Sequence, residues 1–231
     1  MSDPEKFDSF YTKNKLGFDL TLVKNGFKTF KPHFRGKSVL ELGPASGYMT
    51  SLIVNEFDEV TVVEGSKKLI DQIPNYENLT KIHSLFEDFY PDKCFDTVIM
   101  NHVLEHIEKP LELLKKIYNW LKKDGILIIG VPNAKSFHRL AAVHMGLLKN
   151  EYELNSRDKE LGHYRVYDMD MLKQSCINSG FVIKDEGGIF LKFLSNNQIE
   201  NYLNTNIINA YFELASSFHL NSAEIFLILE K

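Results

Sequence analysis

The stretch Val39–Thr50, VLELGPASGYMT, decides the fold. Val39 to Leu42 is a strand-like run, Gly43 and Gly47 follow within five residues, and a helix-forming segment comes next. Glycines at a strand exit let the backbone turn sharply and approach a ligand, because no Cβ stands in the way. In an open α/β sheet, ligands bind beyond the carboxyl ends of the strands, where strand order reverses. The first strand-to-helix turn is therefore the expected binding loop, and three loop chemistries compete for it. A phosphate-binding P-loop needs lysine and then serine or threonine after its second glycine, and Tyr48-Met49 exclude it. A dinucleotide fingerprint needs G-x-G-x-x-G to cradle a pyrophosphate at a helix start, and G-P-A-S-G lacks that pattern. Glu41, just ahead of the loop, would repel a pyrophosphate but suits a ligand with a positive amino group.

Outward from this loop, short apolar runs alternate with helical patterns. SVLEL (38–42), VTVVE (60–64), LTKIH (79–83), FDTVIM (95–100) and GILIIGV (125–131) read as buried parallel strands. Before the last of these, Leu113, Leu114, Ile117, Trp120 and Leu121 recur at helical spacing. Pro110 opens that helix and Gly125 lies just past its expected end. Strict alternation predicts an α/β sheet with helices on both faces. Residues 15–31 predict an amphipathic helix, placed in an N-terminal helical cap over 1–35. Residues 168–180 predict a helix with Asp168 as N-cap and Gly180 as stop. FVIKDEGG then reads as a strand, roughly 196–216 as helical and 223–231 as a last strand. The segments 133–165 and 190–221 interrupt the rhythm, and long insertions in such sheets usually sit at the ligand end. With no repeat and no Pro/Gly-rich linker, one domain over 1–231 is expected.

Composition bounds the function class. Apolar residues make up 44% and charged residues 25%, as in an ordinary soluble protein. A formal charge of −4 gives no electrostatic footprint for nucleic acid. The amino terminus has no apolar signal core, and no run approaches the roughly 20 apolar residues a bilayer span needs. Two cysteines, Cys94 and Cys176, do not make a disulfide framework. A reduced, cytoplasmic protein without membrane insertion is the expectation.

Four segments, in order over roughly 36–189, resemble the class I S-adenosylmethionine-dependent methyltransferases. They are ELGPASG (41–47), VTVVEGS (60–66), FEDF (86–89), and FDTVIMNHVLEHIEKP with LKKDGILIIGVPN (95–133). The resemblance implies a Rossmann-like fold with a seven-stranded, mostly parallel sheet and an antiparallel last strand at 223–230. It also implies S-adenosyl-L-methionine as cofactor and S-adenosyl-L-homocysteine as product. Glu64 would accept hydrogen bonds from the ribose diol, with Gly65 and Tyr48 beside the cofactor. Gly43 and Gly47 would admit the methionyl and ribose portions, and Asn101 would line the sulfonium region. Glu41 either meets the α-amino end, directly or through water, or stands behind it. Where the family often has an adenine-facing Asp this chain has Leu85, leaving adenine to the Phe86 amide and apolar packing. The usual middle glycine of the loop is Ala45 here, a small departure.

His102, Glu105 and His106 spell H-x-x-E-H, a pattern shared with one class of zinc peptidases. Its place, at a strand end running into Pro110, rejects that reading. Some methyltransferases that resemble this chain hold magnesium with a Glu-His pair here, but they carry an acidic residue where His102 stands. No metal is therefore assigned. Methyl transfer to a hydroxyl needs a base, and histidine is the commonest choice. His106 and His163 are the catalytic candidates; bracing the loop and tying down the insertion are their structural alternatives. His163 and Arg165 belong to a G-H-x-R cluster that recurs in methyltransferases resembling those of surface-polysaccharide and sugar-tailoring pathways. Arg165, suited to gripping a phosphate or carboxylate, and His102 are the substrate-binding candidates. His138 and His144 are read as structural, and Tyr11 as packing. The expected acceptor is a hydroxyl of a sugar, nucleotide-sugar or glycan intermediate. The resemblance to ubiquinone-pathway O-methyltransferases makes a phenolic small molecule the second reading, and a nucleotide-binding module without turnover is the third.

Overall fold

A computed structural model describes residues 17–231. The sheet holds seven strands: β1 Ser38–Leu42, β2 Glu59–Glu64, β3 Leu79–His83, β4 Phe95–Asn101, β5 Leu121–Pro132, β6 Val182–Ile189 and β7 Glu224–Glu230. Their order is β3-β2-β1-β4-β5-β7-β6, and only β7 runs antiparallel to its neighbours. The chain builds outward from β1 through β2 to β3, then returns to start β4 on the other side of β1. That reversal is the switch point, and the loop after β1 lies on it.

Helices cover both faces. On one face pack α1 (Gly17–Phe30), α2 (Tyr48–Ile53) and α3 (Lys67–Gln72), which bury Phe18, Phe30, Met49, Ile53 and Ile70. On the other, α4 (Pro110–Trp120) buries Leu113, Leu114, Ile117 and Trp120. Behind it α7 (Met169–Ile177) buries Met169, Leu172 and Cys176, and Asp168 caps it by accepting from the Met171 amide. The central strands are Val/Ile/Leu-rich because both of their faces are covered. Residues 1–16 of the expected N-terminal cap, Tyr11 among them, lie outside the described residues.

One boundary differs from the sequence reading. The helix expected to run up to Gly125 ends at Trp120, and Leu121 is already extended. Leu121 is fully buried and pairs with Phe95 in the sheet, so its packing outweighs helical spacing. The chain then bends through Asp124, at φ +64°, before pairing resumes at Ile126.

The two insertions carry helices of their own. The first holds α5 (Phe137–His144) and α6 (Ser156–Glu160); the second holds α8 (Asn196–Tyr202) and α9 (Thr205–Leu214). Asn133 ties the start of the first to Leu220 and Ser222 at the end of the second, donating at 2.9 and 2.8 Å. Both therefore converge on the carboxyl ends of β4 and β5.

Candidate active site

The loop after β1 is held by its own backbone. The Gly43 amide donates to Val63 O at 3.0 Å, tying the turn to β2. Gly43 sits at φ +65°, and a Cβ there would meet Val103 Cγ2 at 2.6 Å. Gly47, at φ +79°, begins α2; a Cβ there would strike Ile73 at 2.9 Å. The Glu64 carboxylate, at the tip of β2, accepts from the Ala45 amide at 3.2 Å and the Ser66 amide at 2.9 Å. It borders a cavity shared with Gly43, Ala45, Gly65, Leu69, Leu85, Phe86 and Val103. An acidic wall, a glycine turn and an apolar flank fit an adenosyl group: the carboxylate for a diol, the flank for a flat base.

A second, larger cavity opens beside the first, bordered by Glu41, Tyr48, Asn101 and residues of both insertions. Gly43, Ala45, His102, His106 and Leu161 border both, so these residues form the junction. Glu41 is buried, and Thr50 Oγ1 donates to it at 2.7 Å. Burial pushes its carboxyl up to about 7 against the Thr50 hydrogen bond, with the Glu64 charge adding. Asn101 Oδ1 is buried without a hydrogen-bond donor among the described residues. A Cβ on Gly130, in β5, would lie 2.1 Å from that oxygen, so the glycine makes room for the Asn101 side chain.

At the junction β4 ends abruptly. His102 takes φ +55° while its amide donates to Gly130 O at 2.9 Å, and a 3-10 turn follows over Leu104–His106. His102 Nε2 lies 3.0 Å from Glu224 Oε1 and its Nδ1 lies 3.5 Å from Glu105 Oε1. Burial alone would lower the imidazole, but these two carboxylates outweigh it and hold His102 well above its usual value. Glu105 is fully buried and neither oxygen has a hydrogen-bond donor among the described residues. Burial would raise it, yet His102 and the neighbouring imidazoles leave it lowered. The His106 ring meets the His163 ring edge-on at 4.6 Å between centroids, and His163 Nδ1 lies 3.3 Å from Asp158 Oδ1.

Glu105, His106 and His163 bring ligand atoms within 4.8 Å of one another. Two imidazoles and one carboxylate form a donor set for a transition cation; magnesium takes oxygen ligands and does not fit. The same closeness serves proton movement between imidazole and carboxylate.

A sequence profile of the methyltransferase domain matches residues 21–186, most of the chain. The chain belongs to the S-adenosylmethionine-dependent methyltransferase family. It is 22% identical over 139 residues to a malonyl-[acyl-carrier protein] O-methyltransferase of Halalkalibacterium halodurans, covering 53% of this chain and 51% of that protein. It is 25% identical over 180 residues to a ubiquinone biosynthesis O-methyltransferase of Rickettsia canadensis, covering 75% of this chain and 73% of that protein. The chain thus spans about half the length of the first of these relatives. Its fold is similar to that of the N-methyltransferase NodS of Bradyrhizobium japonicum, solved with S-adenosyl-l-homocysteine. That match has a TM-score of 0.65 at 10% identity and covers 100% of this chain and 99% of NodS.

The sequence-expected residues divide between the cavities. Glu64, Gly65 and Phe86 border only the first; Glu41, Tyr48 and Asn101 border only the second, while Gly43, His102 and His106 border both. Gly47 borders neither, and a Cβ there would face Ile73. Arg165 is half-buried, donates to Glu108 O at 3.0 Å, and borders neither cavity. His163 is drawn in by α6 and borders the second cavity. His138 also borders it, with burial pushing its imidazole down to about 3. Sequence reading misses Glu224, Lys192, Arg139 and Arg157, which complete the second cavity. Glu224, the acidic residue that opens the last strand ahead of its apolar run, was the available signal. Cys94 and Cys176 are both free thiols, and among the described residues no helix is long and apolar enough to cross a membrane.

Proposed function

We propose that this protein transfers the methyl group of S-adenosylmethionine to a hydroxyl of a polar small molecule, a sugar, nucleotide-sugar or glycan intermediate. The observation that carries this reading is the second cavity: Asn101, Glu105, His106, Asp158, His163 and Glu224 give it hydrogen-bonding walls, and it meets the cofactor cavity at His106. Glu64 holds the ribose diol, the glycine turn admits the nucleoside, and Glu41 faces the amino-acid end. When bound, the sulfonium supplies an electrophilic methyl group, and the protein's main task is to align a nucleophile with it.

His106 takes the hydroxyl proton. Burial lowers its pKa, with His163 and His102 adding to the effect and Glu105 opposing it, so the imidazole is neutral near pH 7 and ready to accept a proton. Glu105 then faces the imidazolium that forms. His163, fixed by Asp158, packs against the His106 ring and sets its orientation. A phenolic acceptor is the second reading, favoured by the similarity to the Rickettsia canadensis enzyme.

Methyl-labelled cofactor, incubated with pooled nucleotide sugars, free sugars and catechols, tests both. Label is expected in the sugar pool, with a rate that rises with pH through a single ionisation below the usual histidine value. Label in the catechol pool alone replaces the sugar reading, and no label in any pool with cofactor bound supports a module without turnover.

A further inference from the structure

We propose that the acceptor carries an anionic group, a carboxylate or a phosphate, and that Lys192 anchors it in the second cavity. The inference rests on the reading of that cavity as the acceptor site.

Lys192 follows β6, and its backbone is fixed because its carbonyl accepts from the His138 amide at 3.0 Å. Its side chain borders the cavity. The other permanently charged cations on that wall are each matched by a carboxylate: Arg139 with Asp158 at 3.1 Å, Arg157 with Asp19 at 2.9 Å. His102 is matched likewise by Glu224. Lys192 forms no ion pair among the described residues. Its hydrogen bond goes to Asn196 Oδ1 at 2.5 Å, and the amide nitrogen of Asn196 is already committed to Asp19 Oδ1 at 2.6 Å. That commitment fixes the orientation of Asn196, so the ammonium donates once to a neutral oxygen and keeps two N–H groups for something else.

The surroundings make the vacancy of charge costly. Burial pushes the Lys192 amine down to about 8, with Arg157 adding to the effect while Asp19 and Glu224 oppose it. His138 and Arg139 also face this corner, and His138 is held neutral there, so neither supplies a counter-charge. A partly buried cation without a partner is destabilising, and an anion brought by a ligand removes that penalty. On this reading the anion grip lies with a residue of the second insertion that borders the cavity.

The test uses the full chain loaded with S-adenosylhomocysteine and needs no turnover. Isotopic amine labelling across a pH series, read by mass spectrometry, gives the apparent pKa of each lysine, first alone and then with inorganic phosphate or acetate. The expected result is a rise of about 1–3 units at Lys192 on anion binding, the size an opposite charge at contact produces, with exposed Lys149 unmoved. A response to phosphate alone identifies a phosphoryl acceptor, and a response to acetate alone a carboxylate. Lys192→Met should lose phosphate binding while keeping its affinity for S-adenosylhomocysteine, and Lys192→Arg should retain both. With an acceptor in hand, Lys192→Met should raise its KM at least about tenfold at unchanged kcat, the worth of one charged hydrogen bond. No shift at Lys192 with either anion, or equal phosphate affinity in Lys192→Met, overturns the proposal. A clear shift without methyl transfer to any sugar sinks the sugar reading alone.

Discussion

Around the first cavity the contacts that shape the site run through the main chain: Gly43 N to Val63 O, and Ala45 N and Ser66 N to the Glu64 carboxylate. Around the second they run between side chains: His102 between Glu224 and Glu105, His163 on Asp158, Arg139 on Asp158, Arg157 on Asp19. A backbone-built site is set by φ and by the absence of a Cβ, so it tolerates many sequences around a few fixed glycines. A site built from charged side chains depends on each partner, most of all in the buried pair Arg139–Asp158, where removing one leaves the other uncompensated. Substitutions in the second region should therefore act on turnover and acceptor, and those in the first on cofactor affinity.

The largest effect belongs to the side-chain half. His106→Ala should lower kcat by about 10²–10⁴, the usual worth of a positioned base. Cofactor affinity, measured calorimetrically, should hold, because Glu64 and the glycine turn are untouched. His163→Ala should cost less, since it orients His106 without taking the proton. Full turnover in both variants would remove His106 and His163 from the reaction and erase the distinction between the two halves.

Glu41 crosses the boundary, being seated in β1 yet facing the second cavity. Its folded pKa of about 7 lies above the ordinary unfolded value. The folded state therefore holds this proton more tightly. The associated stability is complete below the unfolded value and is lost as pH rises through about 7. Glu41→Gln mimics the neutral acid and can still accept from Thr50, so it should flatten that pH dependence. At pH 8 it should add stability on the order of 3 kcal/mol, read by denaturant unfolding. On the proposed reading the same change removes a negative charge facing the cofactor's amino group, so affinity should fall as stability rises. A variant that gained stability without losing affinity would place Glu41 behind the site.

What was legible in the sequence follows the same division. The glycine turn, Glu64 at a strand tip and Asn101 at another were found because a backbone-built site leaves its marks within a few residues of each strand. The seven-stranded sheet and its antiparallel last strand came with the family resemblance those marks carried, while the strand order was seen only in the fold. The second cavity was only half legible. Glu224 and Lys192 reach it from segments remote from the H-x-x-E-H turn, and no local pattern says which charged residue of an insertion faces inward. Arg165 shows this: its motif suggested an anion grip, while in the fold it donates to Glu108 O and lies outside both cavity walls. The end of α4 failed for a packing reason, Leu121 fitting a helical spacing but filling a sheet position beside Phe95.

Glu64→Ala tests the backbone-built half at its one essential side chain. Losing the proposed diol contact, and with it the brace on the Ala45 amide, should weaken cofactor binding by about 10–100-fold. At saturating cofactor, kcat and the acceptor's KM should stay near wild type. A fall in kcat that saturation did not restore would mean that the Glu64–Ala45 link also positions the junction.

The smallest effect isolates the backbone alone. Ala45 stands at φ +49° where relatives of this loop usually carry glycine, and an L-residue there costs roughly 1–2 kcal/mol. Ala45→Gly relieves that strain but gives back about 0.5–1 kcal/mol through the freer unfolded chain. The net gain should be under about 1 kcal/mol, a rise in Tm of no more than about 2–4 °C for a chain this long. Cofactor affinity should barely move, because the amide that meets Glu64 remains. His102 has a similar positive φ of 55° on the other side of the junction, but its ring is clasped by Glu224. Glycine there would trade a small backbone relief for two buried carboxylates without their cation. If Ala45→Gly cost stability, the loop's φ would be imposed by the ligand rather than by the chain, and the backbone-built half would be less self-sufficient than its hydrogen bonds imply.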